Sequence, residues 1–373
     1  MANTDLLIRG DGPVGATLAL SLARLGLNVA VLGAPPAAPA ARAPDIRAYA
    51  LNAASQALLA DLRVWDALPA HAATAVLDMR IFGDDGGAIE FSAWQQCVDT
   101  LAWIVDAAAL EQALHTVLRF APHVRRVGEA VPAGLVAVCE GKDSATREAL
   151  GAGFERHAYG HSALATRLVC EQPHGGVAWQ WFRSPDVLAL LPLDAPEPGR
   201  SFALVWSQPQ AAAESHRDAP PAAFEAALAE ATAGAAGALR LAGERATWPL
   251  ALGRAGRWCG PGWVLLGDAA HQVHPLAGQG LNLGLGDVAA LARLIGQARR
   301  EAPWRSIGDE RILRRYARER AAPTLAMGQL TDGLLHLFSH TSPPIRELRN
   351  RGLNLVNHLS PVKRWLAGRA FGQ

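Results

Sequence analysis

GDAAHQVHPLAGQGLNLGLGD, residues 267–287, decides how this chain folds. It follows the short apolar run Trp263-Val264-Leu265-Leu266, which reads as a buried strand, so the acidic Asp268 stands where that strand opens into a loop. Open α/β sheets bind ligands at that end of their strands. The run then supplies Pro275, a Gly278-Gln279-Gly280 turn, and Leu281, Leu283, Leu285, Val288, Leu291 and Leu294 at roughly helical spacing. That spacing predicts a helix starting near Gly280. A strand, an acidic loop and a helix reached through glycines suit a polar, electron-rich ligand. Asp268 can accept from hydroxyls, while bare N–H groups and the positive helix end meet an anion.

The amino terminus supplies a second half. Asp5–Arg9 predicts a strand, Ala16–Leu25 a helix and Asn28–Leu32 a second strand, and Gly10-Asp11-Gly12-Pro13-Val14-Gly15 forms the first turn. This is a βαβ unit with GxGxxG in place. Gly10 permits the tight turn, Gly12 lets the backbone approach a pyrophosphate, and Gly15 lets helix and strand pack closely.

Together these stretches resemble the flavin-dependent aromatic hydroxylases of the p-hydroxybenzoate hydroxylase fold, and within them the UbiH-type hydroxylases of ubiquinone biosynthesis. The likeness spans nearly the whole chain. Asp45-Ile46-Arg47 with Ala50-Leu51 and Ser55 resembles the family's DxR…AL…S segment, and Tyr159-Gly160-His161, Leu190-Leu191-Pro192-Leu193 and Trp248-Pro249-Leu250 resemble its substrate-domain signposts. The resemblance implies an α/β protein in which a Rossmann-like FAD-binding domain is interleaved with a smaller β-rich substrate domain, ending in a helical tail. It assigns residues 1–70, 98–155 and 251–330 to the FAD-binding domain, 71–97 and 156–250 to the substrate domain, and 331–373 to the tail.

The same resemblance implies site residues. Gly10, Gly12, Pro13, Val14 and Gly15 would hold the FAD pyrophosphate, Gly267 and Asp268 the ribityl chain, and Gly278, Gln279, Gly280, Leu281 and Asn282 the flavin pyrimidine, with Arg47 near the flavin. Pro275 and the backbone of Gly280 would face the flavin where oxygen reacts, and no side chain is assignable as a base. The expected reaction is hydroxylation of an aromatic substrate, a polyprenyl-phenol in ubiquinone biosynthesis, with NAD(P)H as reductant and O2. The chemistry would belong to the cofactor.

Departures from the family pattern point the other way. Gly33 stands where members carry the glutamate that grips the adenosine ribose, Ala107 where they carry a polar cofactor contact, and Glu140-Gly141 where they carry Asp-Gly. Arg9 and Asp11 are charged where the turn is usually small or apolar, and Asp11 brings negative charge near a pyrophosphate. Only about thirty residues separate Leu110-Glu111 from Glu140-Gly141, so a β-meander is expected to be missing. These losses leave open a non-catalytic scaffold, with weak or absent FAD, that supports other ubiquinone-biosynthesis proteins by contact.

Bulk composition agrees with a globular two-domain chain: 373 residues, 50% hydrophobic and 18% charged. A net charge of +1 excludes a nucleic-acid footprint. Of 35 basic residues only Lys142 and Lys363 are lysines, a bias that suggests a GC-rich bacterial genome. Cys97, Cys139, Cys170 and Cys259 have no CxxC spacing and suit a reducing cytoplasm. No leader and no transmembrane run is expected. His271 and His274 flank the loop, but no partner set completes a metal site, and His271 is expected to support the loop. From Ile345 to Gln373, Arg346, Arg349, Arg351, Lys363, Arg364 and Arg369 are interspersed with apolar residues. Such a segment suits either an anionic membrane surface or a place on the protein's own body.

Overall fold

The structure is a computed structural model describing residues 4–33, 45–83, 86–273 and 279–339. Pro275 and Gly278, assigned to the flavin loop, His274, and the basic segment 345–373 lie outside the described residues.

A six-stranded sheet runs in the order Cys259–Gly260, Trp263–Leu265, Leu135–Val138, Leu6–Arg9, Val29–Leu32, Val124–Val127. All neighbours are parallel except the first pair, which forms a short antiparallel hairpin. The register sets Arg9 beside both Leu32 and Val138, and Leu265 beside Val138. The strands therefore finish level, and the segments at Gly10, Gly33, Cys139 and Leu266 leave from one edge. That edge is where the site forms.

The first helix is Pro13–Ala23, entered three residues earlier than its apolar pattern predicts because Pro13 takes the first helical position, where a missing N–H costs nothing. Every residue from Gly15 to Ala23 is buried, as expected of a helix apolar all round. It packs against helices Ala107–Phe120 and Gln279–Glu301. Residues 53–68 form helix Ala53–Asp61, capped by Asn52, and a 3-10 turn at Trp65–Ala67. Between them Arg63 adopts a positive φ of 63°.

A nine-stranded sheet holds Phe154–Cys170 at its centre, with Ser201–Pro209, Asp186–Leu193 and Val177–Arg183 on one side and Ala246–Ala255 on the other. A hairpin of Asp78–Phe82 and Ala88–Ser92 joins this sheet through Val177–Arg183. The neighbouring strand Ala73–Val76 does not follow it. It joins Ala48–Leu51 and Ala102–Asp106 in a separate three-stranded sheet between the two larger ones.

No strand occupies residues 128–134, so the shortened connection passes directly from Val124–Val127 to Leu135–Val138. The last described helix, Glu310–Ser339, is continuous through residue 331 and carries Pro323 inside it. Among the described residues no helix is long and apolar enough to cross a membrane.

Candidate active site

The glycine turn has the geometry its sequence demands. A Cβ on Gly10, whose φ is +105°, would meet the Cys139 carbonyl oxygen at 2.4 Å, and one on Gly15 would meet the Gly10 carbonyl oxygen at 2.0 Å. Both must be glycine. Gly12 differs, since a Cβ there meets nothing within 4 Å and the residue is exposed. Gly12 is also the N-cap of helix Pro13–Ala23, and no side chain caps that end. An uncapped helix N-terminus under open space is a phosphate cradle.

Asp268 stands at the same edge, in a 3-10 turn Gly267–Ala269 fastened on several sides. The Gly267 N–H and His271 Nε2 both donate to Asp287 Oδ2, at 3.0 and 2.6 Å, and Arg320 Nε donates to Asp287 Oδ1 at 2.7 Å. Asp287 is fully buried. Burial alone would raise its carboxyl pKa, but the charges and hydrogen bonds of His271 and Arg320 outweigh that and hold it low. Arg147 Nη1 donates to the Ala269 carbonyl, and the Tyr316 hydroxyl to that of Leu265. Val14 packs on the turn, where a Cβ on Gly267 would lie 3.1 Å from Val14 Cγ2.

The Asp268 carboxylate itself accepts no hydrogen bond among the described residues, and the residue is exposed. Protein nevertheless surrounds it closely, and this desolvation pushes its carboxyl pKa up against the opposing charges of His271, Lys142 and Arg47. Exposure combined with crowding describes a group on the floor of a cleft. Its free acceptors suit hydroxyl donors.

The helix starting at Gln279 approaches from the other side. Among the described residues a Cβ on Gly280 meets nothing within 4 Å. The side chain of Asn282 is turned inward: Nδ2 donates to the Ala50 carbonyl at 2.8 Å and Oδ1 accepts from the Asn52 N–H at 3.0 Å. It ties the helix end to strand Ala48–Leu51, which leaves ligand binding here to the backbone of the first turn.

Arg47 forms a two-pronged pair with Asp45, at 2.9 and 2.6 Å, and reaches Glu111 at 3.3 Å. Burial lifts the pKa of neighbouring Tyr49 to about 12. A groove of about 1170 Å3 continues from Arg47 past Glu111, His115 and Arg126, with Ala246 and Trp248 opposite. At the 106–107 corner, where Ala107 is fully buried, Arg167 enters from the nine-stranded sheet. Its Nη2 donates to the Arg47 carbonyl and to Asp106 Oδ2, both at 2.8 Å, while Nη1 is buried without a partner among the described residues.

The departures in sequence meet one another in space. Arg9 Nε donates to Glu140 Oε1 at 2.9 Å, and the Asp11 carboxylate lies against Gly33. Glu140 also accepts from Ser144 and Thr146, so it organises the loop that follows it.

Arg167 identifies which face of the nine-stranded sheet looks toward this edge. Ala165, two residues away, shares that face and heads a row in register with Val205, Ala189, Gln180 and Ile81. All but Ala165 are partly exposed. The row forms a mostly apolar wall with small side chains, suited to a flat aromatic molecule. The opposite face, with Leu164, Trp181, Phe202 and Trp206, is sealed by Phe224 and Leu228.

Sequence reasoning placed Gly10, Gly12, Pro13, Val14, Gly15, Gly267, Asp268 and Gln279–Asn282 around one edge, and the structure brings these together. It missed Asp287, Arg167 and Tyr49. Asp287 closes the quoted run, and its place one helical face from the glycines was the available signal.

Residues 100–330 match the family described as FAD binding domain. The chain is 32% identical to ubiquinone hydroxylase UbiL of Rhodospirillum rubrum, over 99% of this chain and 89% of that protein. It is 31% identical to 3-demethoxyubiquinol 3-hydroxylase of Escherichia coli, over 99% and 98%. Among solved structures, p-nitrophenol 4-monooxygenase PnpA of Pseudomonas putida superposes with a TM-score of 0.78 at 19% identity, covering 99% of this chain and 98% of that one. PqsL of P. aeruginosa superposes at 0.76 and 21% identity, covering 94% and 99%, which supports the fold.

Proposed function

Because the chain belongs to the FAD-dependent hydroxylases that include the ubiquinone hydroxylases, we propose that it hydroxylates the ring of a polyprenylated phenol in ubiquinone biosynthesis, using NAD(P)H and O2. The observation that carries this reading is the convergence, at one sheet edge, of the open Gly12 cradle, the partnerless Asp268 carboxylate and the first helical turn at Gly280. These residues fit FAD. The Gly12 turn and the helix behind it would hold the pyrophosphate, Asp268 the ribityl hydroxyls, and the backbone at Gln279–Asn282 the pyrimidine edge. The chemistry supplied by FAD held there would be redox exchange with reduced nicotinamide and activation of O2.

The chain contributes placement and electrostatics. The positive helix end at Gln279 favours negative charge on the group before it. The wall of Ile81, Ala189, Val205 and Ala165 would orient the ring and exclude water, and Gln180 offers the row's polar contact. In this reading the six-stranded sheet carries the cofactor and the nine-stranded sheet the substrate. A polyprenyl chain favours work at a membrane surface, and the basic segment 345–373 suits anionic headgroups.

A scaffold without catalysis would account for lost cofactor contacts, yet two pairs of departures lie in contact with each other. The test is complementation of a strain lacking its ubiquinone hydroxylase, with Gly280→Trp in parallel, since the indole would add bulk at the first turn of the helix. Restored ubiquinone with the unmodified chain alone is expected. Equal restoration by both would overturn the catalytic reading.

A further inference from the structure

The tip of strand Val29–Leu32 lacks a side chain but not a carboxylate. A Cβ built on Gly33 would lie 2.5 Å from Asp11 Cγ, and 2.4 and 2.9 Å from its two carboxylate oxygens. In a glutamate the carboxyl carbon stands two bonds beyond Cβ, about 2.5 Å away. The Asp11 carboxyl carbon thus lies as far from the Cβ position of residue 33 as the carboxyl carbon of a glutamate there would. Dinucleotide-binding βαβ units use an acidic residue at this strand tip, about 20 residues past the glycine turn, to hold ribose hydroxyls.

We propose that Asp11, reaching across from the glycine turn, supplies the carboxylate that binds the adenosine ribose, and that Gly33 is bare because Asp11 needs the space. The inference rests on the FAD reading of the site. Pairing of Arg9 with Leu32, and the Gly10 N–H bond to the Leu32 carbonyl at 2.9 Å, set Asp11 opposite Gly33. Arg126 Nη2 holds Asp11 Oδ2 at 2.8 Å, and His115 Nε2 hydrogen-bonds with the Asp11 carbonyl at 2.9 Å. The carboxylate is therefore aimed and its charge is balanced, which answers the objection to an acid beside a pyrophosphate. A carboxylate offers about four acceptor positions. Arg126 takes one, and the side chain remains 24% exposed.

The test measures dissociation constants of FAD and of FMN, which lacks the adenosine, by flavin fluorescence. Asp11→Asn is expected to weaken FAD about tenfold or more and to leave FMN unchanged. Gly33→Glu alone is expected to bring no gain, because two carboxylates would contest one space. The double variant Asp11→Gly with Gly33→Glu should recover most of the FAD affinity, and it keeps the test readable if Asp11→Asn folds poorly. FAD binding by Asp11→Asn as tight as, or tighter than, that of the unmodified chain overturns this inference alone. An unmodified chain that takes up neither flavin overturns the FAD reading as well.

Discussion

Arg9 donates from Nε to Glu140 Oε1 at 2.9 Å, joining two residues 131 positions apart that each depart from the family pattern. Both side chains are mostly buried, at 32% and 21% exposure. Burial alone would raise the Glu140 carboxyl pKa, but hydrogen bonds from Thr146, Ser144 and Arg9 outweigh it and hold the value low. The longer acid and the added base form one unit.

Glu140→Ala is accordingly expected to destabilise the protein by about 1.5–3 kcal/mol, the range for hydrogen bonds to a charged group, and Arg9→Leu by less. Urea unfolding of both singles and the double measures the coupling. Because the folded carboxyl is depressed, the contribution is complete above the ordinary glutamate value of about 4.3. It is lost as pH falls through the lower folded value. A Glu140→Gln protein that loses stability in acid as steeply as the unmodified one would refute this share.

Asp287→Asn should cost about 3–5 kcal/mol, because it leaves Arg320 and His271 facing an uncharged group inside the protein. It should also lower flavin occupancy, since the Gly267 N–H and His271 both rest on that carboxylate. Retained flavin with lowered stability would separate the two roles.

Flavin affinity should decline on acidification sooner than an ordinary aspartate would dictate. The Asp268 carboxyl is raised by desolvation, and only its ionised form offers all acceptors to hydroxyls. Asp268→Asn should bind FAD more weakly and with less pH dependence above the ordinary aspartate value of about 3.9. An identical pH profile in the variant would assign the dependence elsewhere.

Arg167→Met should reduce the rise in melting temperature that FAD produces, because it removes the hydrogen bonds that fix the Arg47 carbonyl and Asp106 beside the site. Thermal unfolding with and without FAD reads this directly. An undiminished rise would mean that Arg167 serves only the link to Asp106 and Arg47.

Much of the site was legible in the chain because backbone constraints are local. Gly15 meets the Gly10 carbonyl five residues back, and Pro13 opens the helix regardless of what surrounds it. The helix at Gln279 follows from its own apolar spacing, as does the strand before Asp268. By contrast, Ala73–Val76 pairs away from its neighbouring hairpin, a choice that sheet partners make and spacing does not record.

What the sequence by itself determined is the βαβ glycine turn, the acidic loop after its strand and the helix beyond, each specified within a few residues by sterics and hydrophobic period. Only the tertiary structure decided that Gly33 and Asp11, and Glu140 and Arg9, are single solutions rather than four separate losses. The sheet order sets strands 6–9, 29–32 and 135–138 side by side in matched register, and charges far apart along the chain interact only once that register brings their strand ends level.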